Sequence, residues 1–277
     1  MSIQLHFEPT GICNATCVFC TYASEENRKL PKKPMPMDLY HKIINEAKDL
    51  APITEIAFAG LGEPLLDPHI IERITYAKKA RPEWRLEMYT NGVYLYPAVV
   101  DALKSAGLDI LVISLNAVSA AQHRSIMGLV DKFDRVCRHA DYARSCDGIR
   151  VEVRAVVTGD TFTQADAQTF IGRWGAVQFG GHGKLILEMN WAGALGRTIT
   201  PFDPNSCCKR ALEQISVHRD GRVNLCCLDP LGKYSWGDLK TQTIREIYNA
   251  AGYVEFREWH RDNQAARHPL CKVCTRI

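Results

Sequence analysis

The sequence predicts an α/β chain: six strands alternating with helices in a parallel sheet, followed by a small, cysteine-rich α+β segment. Three observations carry this. Extended, β-branched runs alternate with helical patterns about every 25 to 35 residues, the signature of right-handed βαβ units. The alternation stops near residue 200, where a turn-rich stretch "TPFDPNSCC" begins. The cysteines are also uneven: three stand at positions 13, 17 and 20, six at 207, 208, 226, 227, 271 and 274, and only Cys137 and Cys146 lie between.

The elements follow in order. The strands are expected in "IQLHFEPTG", "TEIAFAG", "RLEMYTNG", "DILVISLNA", "RVEVRAVVT" and "KLILEMNWAG". Helices are expected in "MDLYHKIINEAKDL", "PHIIERITYAKKA", "YPAVVDALKSAG" and "DKFDRVCRHADYARSC". Sites in such sheets gather at the carboxyl ends of the strands. The short motifs stand there: "CNATCVFC" after the first strand, "GLGEP" after the second and "TNG" closing the third. In the tail, Gly221 in "RDGRVNLCC" fits a hairpin. The division expected is 1–200 and 201–277.

Composition narrows the classes. A chain of 277 residues buries roughly 75% of its unfolded surface without cross-links, so its core does not need disulfides. A net charge of +3 is too small to imply a nucleic acid partner, and the basic "RKLPKK" reads as a solvated loop. The start lacks a basic region followed by an apolar one, and no apolar run approaches the roughly 18 residues of a membrane span. The expectation is a cytoplasmic protein without membrane contact. In a reducing compartment clustered cysteines are metal ligands or reactive thiols.

Cys13, Cys17 and Cys20 form C-x3-C-x2-C, with no fourth His or Cys near Cys20. A closed structural zinc site takes four ligands. An iron-sulfur cube held by three thiolates leaves one iron with an open position, where chemistry can occur. This motif, with Phe19 before the last cysteine and "GLGEP" after the second strand, resembles the radical S-adenosylmethionine (SAM) superfamily, whose fold would be a partial (β/α)6 barrel. The resemblance implies that the three cysteines hold a 4Fe-4S cluster and that SAM chelates the fourth iron. It further implies that Phe19 lies near the adenine, and that Gly60, Gly62 and Glu63 meet the methionine ammonium. Ser114 and Asn116 would touch the ribose or the amino acid part of SAM, although relatives commonly carry Asp at the position of Asn116. Arg154 would pair with the SAM carboxylate.

In the tail, Cys208, Cys226, Cys271 and Cys274 supply four thiolates, and the residues alone allow either zinc or an iron-sulfur cluster. The pattern from Cys208 through "GRVNLCCLD" to Cys271-Lys-Val-Cys274 resembles the twitch extension, the shortened SPASM form, with one auxiliary 4Fe-4S cluster. Its spacing looks like that of the aminocyclitol dehydrogenases of aminoglycoside biosynthesis. The two adjacent pairs leave Cys207 and Cys227 over. Cys227 is a candidate hydrogen-atom donor, the role that such a thiol plays in radical SAM epimerases.

The resemblance implies an oxidoreductase that makes a 5′-deoxyadenosyl radical, removes hydrogen from an unactivated carbon and passes an electron to the auxiliary cluster, after reduction by a flavodoxin- or ferredoxin-like donor. The expected substrate is a small polar molecule of sugar or aminocyclitol type, as in antibiotic biosynthesis. The cysteine motif begins by residue 13, so a leader-binding domain ahead of it is not expected. Glu188 and Asn190, beside Trp191, are candidates for orienting its hydroxyl or amino groups. The rival readings are an epimerase using Cys227, a peptide-modifying maturase and a non-catalytic metal-binding protein. "GLGEP" opposes the last, since a purely structural metal site needs no SAM-binding loop.

Overall fold

Helices and strands alternate through the first two thirds of the chain. A computed structural model describes residues 2–157, 161–187, 191–192, 194–195 and 207–275. The first part runs β1 (Ile3–Phe7), α1 (Glu25–Arg28), α2 (Met37–Ala47), β2 (Ile53–Phe58), α3 (Ile70–Ala80), β3 (Arg85–Thr90), α4 (Pro97–Ser105) and β4 (Ile110–Ser114). It continues with α5 (Ala120–Met127), α6 (Phe133–Ser145), β5 (Arg150–Val157), α7 (Gln164–Trp174) and β6 (Gly183–Leu187). The tail contributes α8 (Lys209–Glu213), β7 (Gln214–Val217), β8 (Arg222–Asn224), β9 (Ser235–Asp238), α9 (Ile244–Tyr248), α10 (Ala251–Arg261) and α11 (Pro269–Lys272).

All six expected strands form, and each pairs in parallel with its neighbour from β1 to β6. Helices α5 and α7 lie outside the patterns read from sequence. Their starts are set by caps instead: Ser119 accepts from the Gln122 N–H, and Thr163 and Asp166 form a reciprocal capping box.

The tail does not stand apart from this sheet. Strand β7 pairs in parallel with β1, with Leu5 opposite Ile215 and Phe7 opposite Val217. β8 then returns antiparallel to β7, and β9 antiparallel to β8. The hairpin expected at Gly221 is present, with that residue at φ 91°. Among the described residues one sheet therefore runs β6-β5-β4-β3-β2-β1-β7-β8-β9.

Period-2 alternation decides what each face of this sheet offers. Leu5, Phe7, Ile56, Phe58, Leu86, Met88, Leu111, Ile113, Val151 and Val153 are buried and join one core with Tyr40, Ile43, Ile74, Val100, Leu103, Val136 and Ala140 of the helices. The alternate positions carry Gln4, His6, Glu87, Tyr89, Ser114, Glu152 and Arg154. A parallel strand buried on both sides by hydrocarbon reads as a continuous apolar run, so this polar face marks an interior built to hold something polar. Among the described residues no helix is long and apolar enough to cross a membrane.

Candidate metal centres

The three-cysteine loop leaves the end of β1 and is held by backbone from several directions. Thr16 and Val18 donate to the carbonyls of Met127 and Ile126, 2.9 Å each, at the end of α5, and Glu63 N–H donates to Ile12 O at 2.7 Å. The Cys13 N–H donates to the Tyr22 hydroxyl at 2.9 Å, and Asn91 Nδ2 donates to Asn14 Oδ1 at 2.8 Å. Two sulfurs already accept backbone hydrogen bonds, Cys13 from Ala15 N–H and Cys20 from Tyr22 N–H, both at 3.4 Å. That geometry suits thiolates.

Burial pushes the Cys13 thiol up to about 12 and that of Cys20 to about 11, and Cys17 goes well above the ordinary range. For Cys17 the neighbouring Cys20 and Cys13 add to the effect of burial. Three such groups become anionic together only against a strong local positive charge, which a metal supplies. The donor set fits an iron-sulfur cluster with three protein ligands.

The "GLGEP" loop is pressed against this segment. A Cβ on Gly60, whose φ is 152°, would lie 2.6 Å from Glu8 Cγ, and one on Gly62 would lie 2.0 Å from the Thr10 carbonyl oxygen. Only glycine lets the second strand's exit approach the first so closely. The buried Glu63 carboxylate accepts from Thr90 Oγ1 at 2.6 Å and Leu65 N–H at 3.1 Å through one oxygen, and from Asn91 N–H at 2.7 Å through the other. Thr90 and Asn91 of "TNG" thus anchor Glu63.

The other expected SAM contacts lie at strand ends. Ser114 closes β4, half-buried, in register with Arg154. Asn116, at φ 55°, accepts from Val156 N–H at 2.9 Å, tying β4 to β5. Arg154 is engaged on the polar face: Nη2 lies 2.6 Å from Glu152 Oε2, Nη1 donates to the Tyr89 hydroxyl at 3.1 Å, and Glu87 stands 3.6 Å away. Phe19 offers its carbonyl to the Trp191 indole N–H at 2.6 Å. Glu188 and Asn190 lie outside the described residues.

Sequence reasoning missed Glu8, Glu87, Tyr89, Glu152 and Arg219. The signal for three of them is present in "RLEMYT" and "RVEVRAVV", where polar side chains recur at every second position of strands otherwise apolar. Glu8 and Arg219 pair across 211 residues, and no local pattern announces that.

The tail brings its four cysteines to one place. Cys208, Cys226, Cys271 and Cys274 all line a single cavity, otherwise walled mainly by Ala192, Leu225, Leu228, Phe256 and Leu270. Of the adjacent pairs, Cys207 is exposed and neither it nor Cys227 lines the cavity. Burial raises the Cys226 thiol well above its ordinary range, with Cys227, Cys271 and Cys274 contributing. Four soft donors around an apolar hollow suit the ligand count of an iron-sulfur cluster, while among the described residues no three His, Cys, Asp or Glu side chains are grouped to hold a single metal ion. Cys227 sits beside Arg210 and Cys208, and burial raises its pKa, so it keeps its proton. Trp191 and Ala192 pack with Cys226, Cys227 and Cys274 in a small apolar cluster.

Comparisons with known proteins bear on both sites. The model of the Radical SAM superfamily matches residues 7–169, more than half of the chain, and that of SPASM, an iron-sulfur cluster-binding domain, matches 207–275. The S-adenosyl-L-methionine-dependent 2-deoxy-scyllo-inosamine dehydrogenase of Niallia circulans is 20% identical over 274 residues, 99% of this chain and 93% of that protein. The crystal structure of BtrN in complex with AdoMet and 2-DOIA has a TM-score of 0.70 at 19% identity, covering 100% of this chain and 94% of that one. Streptococcus suis SuiB bound to precursor peptide SuiA has a TM-score of 0.73 at 15% identity, covering 99% and 71%. At such identities these structures establish the fold. The chain spans less than half the length of several curated relatives that it matches at 28% to 29% identity. A radical SAM domain binds a 4Fe-4S cluster and SAM, and a SPASM domain binds additional iron-sulfur clusters.

Proposed function

The chain belongs to the radical SAM superfamily, and on that premise we propose that it is an oxidoreductase that dehydrogenates a small polar substrate of aminocyclitol type. The observation that carries this reading is the position of Trp191. Its indole N–H donates to Phe19 O inside the three-cysteine loop, while the residue packs against the small buried cluster of Ala192, Leu228 and Cys274, against which Cys226 and Cys227 pack too. An open site that starts radical chemistry and a closed site that accepts an electron are thus joined through one residue.

Cys13, Cys17 and Cys20 would hold the first cluster, and Cys208, Cys226, Cys271 and Cys274 the second. Together with SAM these groups supply hydrogen-atom abstraction from an unactivated carbon and a one-electron acceptor. The substrate loses a hydrogen atom, a proton and an electron, a net two-electron oxidation. The protein's own task is positioning. Gly60 and Gly62 would open the backbone to the methionine ammonium of SAM beside Glu63, with Arg154 on the carboxylate, Ser114 and Asn116 at the ribose or amino acid part and Phe19 near the adenine. Glu87, Glu152 and Tyr89 line the polar face next to Arg154 and suit the amino and hydroxyl groups of an aminocyclitol. Glu188 and Asn190 belong to the same proposal, as do the division at residues 200 and 201, a flavodoxin- or ferredoxin-like electron donor and a cytoplasmic setting.

The near full-length likeness to an aminocyclitol dehydrogenase supports oxidation. The test is anaerobic incubation with SAM, dithionite and a panel of aminocyclitols and sugars in deuterated water. The expected result is 5′-deoxyadenosine together with a product two mass units lighter than its substrate. A product of unchanged oxidation state carrying carbon-bound deuterium would instead assign an epimerase with Cys227 as donor. Turnover of peptides alone would assign a maturase.

A further inference from the structure

His260 stands inside the tail's cysteine cavity, and nothing in the sequence pattern singles it out. Helix α10 buries Tyr253, Phe256, Arg257 and His260, positions spaced by three and four that make one inward face. His260 is 1% exposed, and its ring meets Phe256 edge-on at 4.7 Å. A histidine so placed reads as core until its two nitrogens are followed. Nδ1 lies 3.3 Å from the Cys208 backbone nitrogen, and Nε2 lies 3.7 Å from Cys271 Sγ.

These two contacts fix the chemistry of the ring. A backbone N–H can only donate, so Nδ1 accepts, and the proton of the neutral imidazole is on Nε2. Nε2–H therefore points at Cys271 Sγ, within reach of a hydrogen bond to sulfur. The ring thereby joins the segments at the two ends of the tail's sequence, one cysteine through its backbone and the other through its sulfur.

Building on the auxiliary site proposed above, the geometry points to His260 as a positioning residue that raises the reduction potential of the auxiliary cluster through an Nε2–H···Sγ bond to Cys271. A hydrogen bond to a ligand sulfur stabilises the more negative, reduced state of a cluster more than its oxidised state. The apolar walls of the cavity, Leu225, Leu228, Phe256 and Leu270, work in the opposite direction, because a low-dielectric surround disfavours added negative charge. An oriented donor at Cys271, beside the Arg210 side chain that also lines the hollow, favours its taking an electron from a substrate radical. His260 touches neither the substrate nor SAM in this scheme; it acts through Cys271.

Three substitutions separate tuning from packing. His260→Gln retains an N–H near the position of Nε2, His260→Asn retains an acceptor near Nδ1 but not the distal donor, and His260→Phe keeps the ring and loses both. The full chain is reconstituted anaerobically, without substrate, and each cluster's potential is read by EPR-monitored titration alongside the iron content. The auxiliary potential is expected to fall in the Asn and Phe variants and to return towards the unaltered value in the Gln variant. The potential of the cluster at Cys13, Cys17 and Cys20 should not move, and iron should stay at about eight per chain. An auxiliary potential that is the same in all forms, a Gln variant no different from Phe, or equal loss of auxiliary iron in all three would overturn the assignment. An unaltered protein that holds only about four irons would remove the auxiliary site itself, and the assignment with it, an outcome distinct from an unchanged potential at full loading.

Discussion

Arg219 Nη1 lies 2.8 Å from Glu8 Oε2, both side chains buried, so a residue of the cysteine-rich tail closes the carboxyl end of the first strand. The pair is not isolated. Arg219 Nε donates to Pro31 O at 3.0 Å, while Leu61 N–H of the "GLGEP" loop donates to the other Glu8 oxygen at 3.3 Å. One carboxylate thus connects the loop expected to meet SAM with the hairpin that follows β7. Replacing Arg219 with Met takes from buried Glu8 one of its two cationic partners; with His218 still 3.0 Å away, the cost is expected to fall below the roughly 3 to 5 kcal/mol of a fully uncompensated buried charge. Denaturant unfolding of the metal-free protein should show that loss, and Glu8→Gln combined with Arg219→Met should recover much of it. A single variant as stable as the unaltered chain would remove the pair from the account of how the two parts are joined.

His218 gives the same cluster a pH dependence. Burial lowers its affinity for a proton, and the Arg219 guanidinium 2.9 Å away opposes charging too. Asp220, 2.9 Å from Nδ1, and Glu8, 3.0 Å from Nε2, outweigh them and hold the ring above its ordinary value. The resulting stability is complete below the unfolded value of about 6.5 and is lost as pH rises through the folded one. Burial raises the Glu8 carboxyl, but His218 and Arg219 hold it below its ordinary value. That contribution is present above about 4.3 and is lost as pH falls through the folded value. The contribution of this cluster to the melting temperature of the metal-free protein is therefore expected to be largest between about pH 4.3 and 6.5. His218→Gln should flatten the alkaline limb of that profile, and an unchanged limb would contradict the assignment.

Gly62→Ala tests the close approach of the first two strands. Its Cβ would meet the Thr10 carbonyl, which is backbone and cannot rotate away. We expect a loss of about 1 to 3 kcal/mol and weaker SAM binding by equilibrium dialysis, with iron still loaded at the first site. SAM binding of normal strength would show that the loop has freedom the structure does not suggest.

Iron analysis of single cysteine variants tests the two ligand sets. Reconstituted Cys207→Ser and Cys227→Ser should each hold about eight irons, and Cys208→Ser and Cys226→Ser about four. The reverse pattern would exchange the partners within each adjacent pair. Removing Cys271 and Cys274 together should end substrate turnover while cleavage of SAM persists.

The sequence by itself determined the six-strand α/β order, the two cysteine sets and the loops that frame the first. These features are local: strand and helix periods repeat within a dozen residues, and C-x3-C-x2-C and "GLGEP" are compact enough to be read directly. Within the adjacent pairs, the four residues after Gly221 and the spacing of the twitch extension already select Cys226 and Cys208; tertiary structure adds the cavity that these two line with Cys271 and Cys274, while Cys207 is exposed and Cys227 lies outside the lining. Tertiary structure also decided that the tail extends the sheet beside β1. The partners of Glu8, Cys208 and Phe19 are Arg219, His260 and Trp191, contacts that span 211, 52 and 172 residues. A hydrogen bond over such a span leaves no periodic trace in the chain, since it depends on where the folded sheet carries two distant segments.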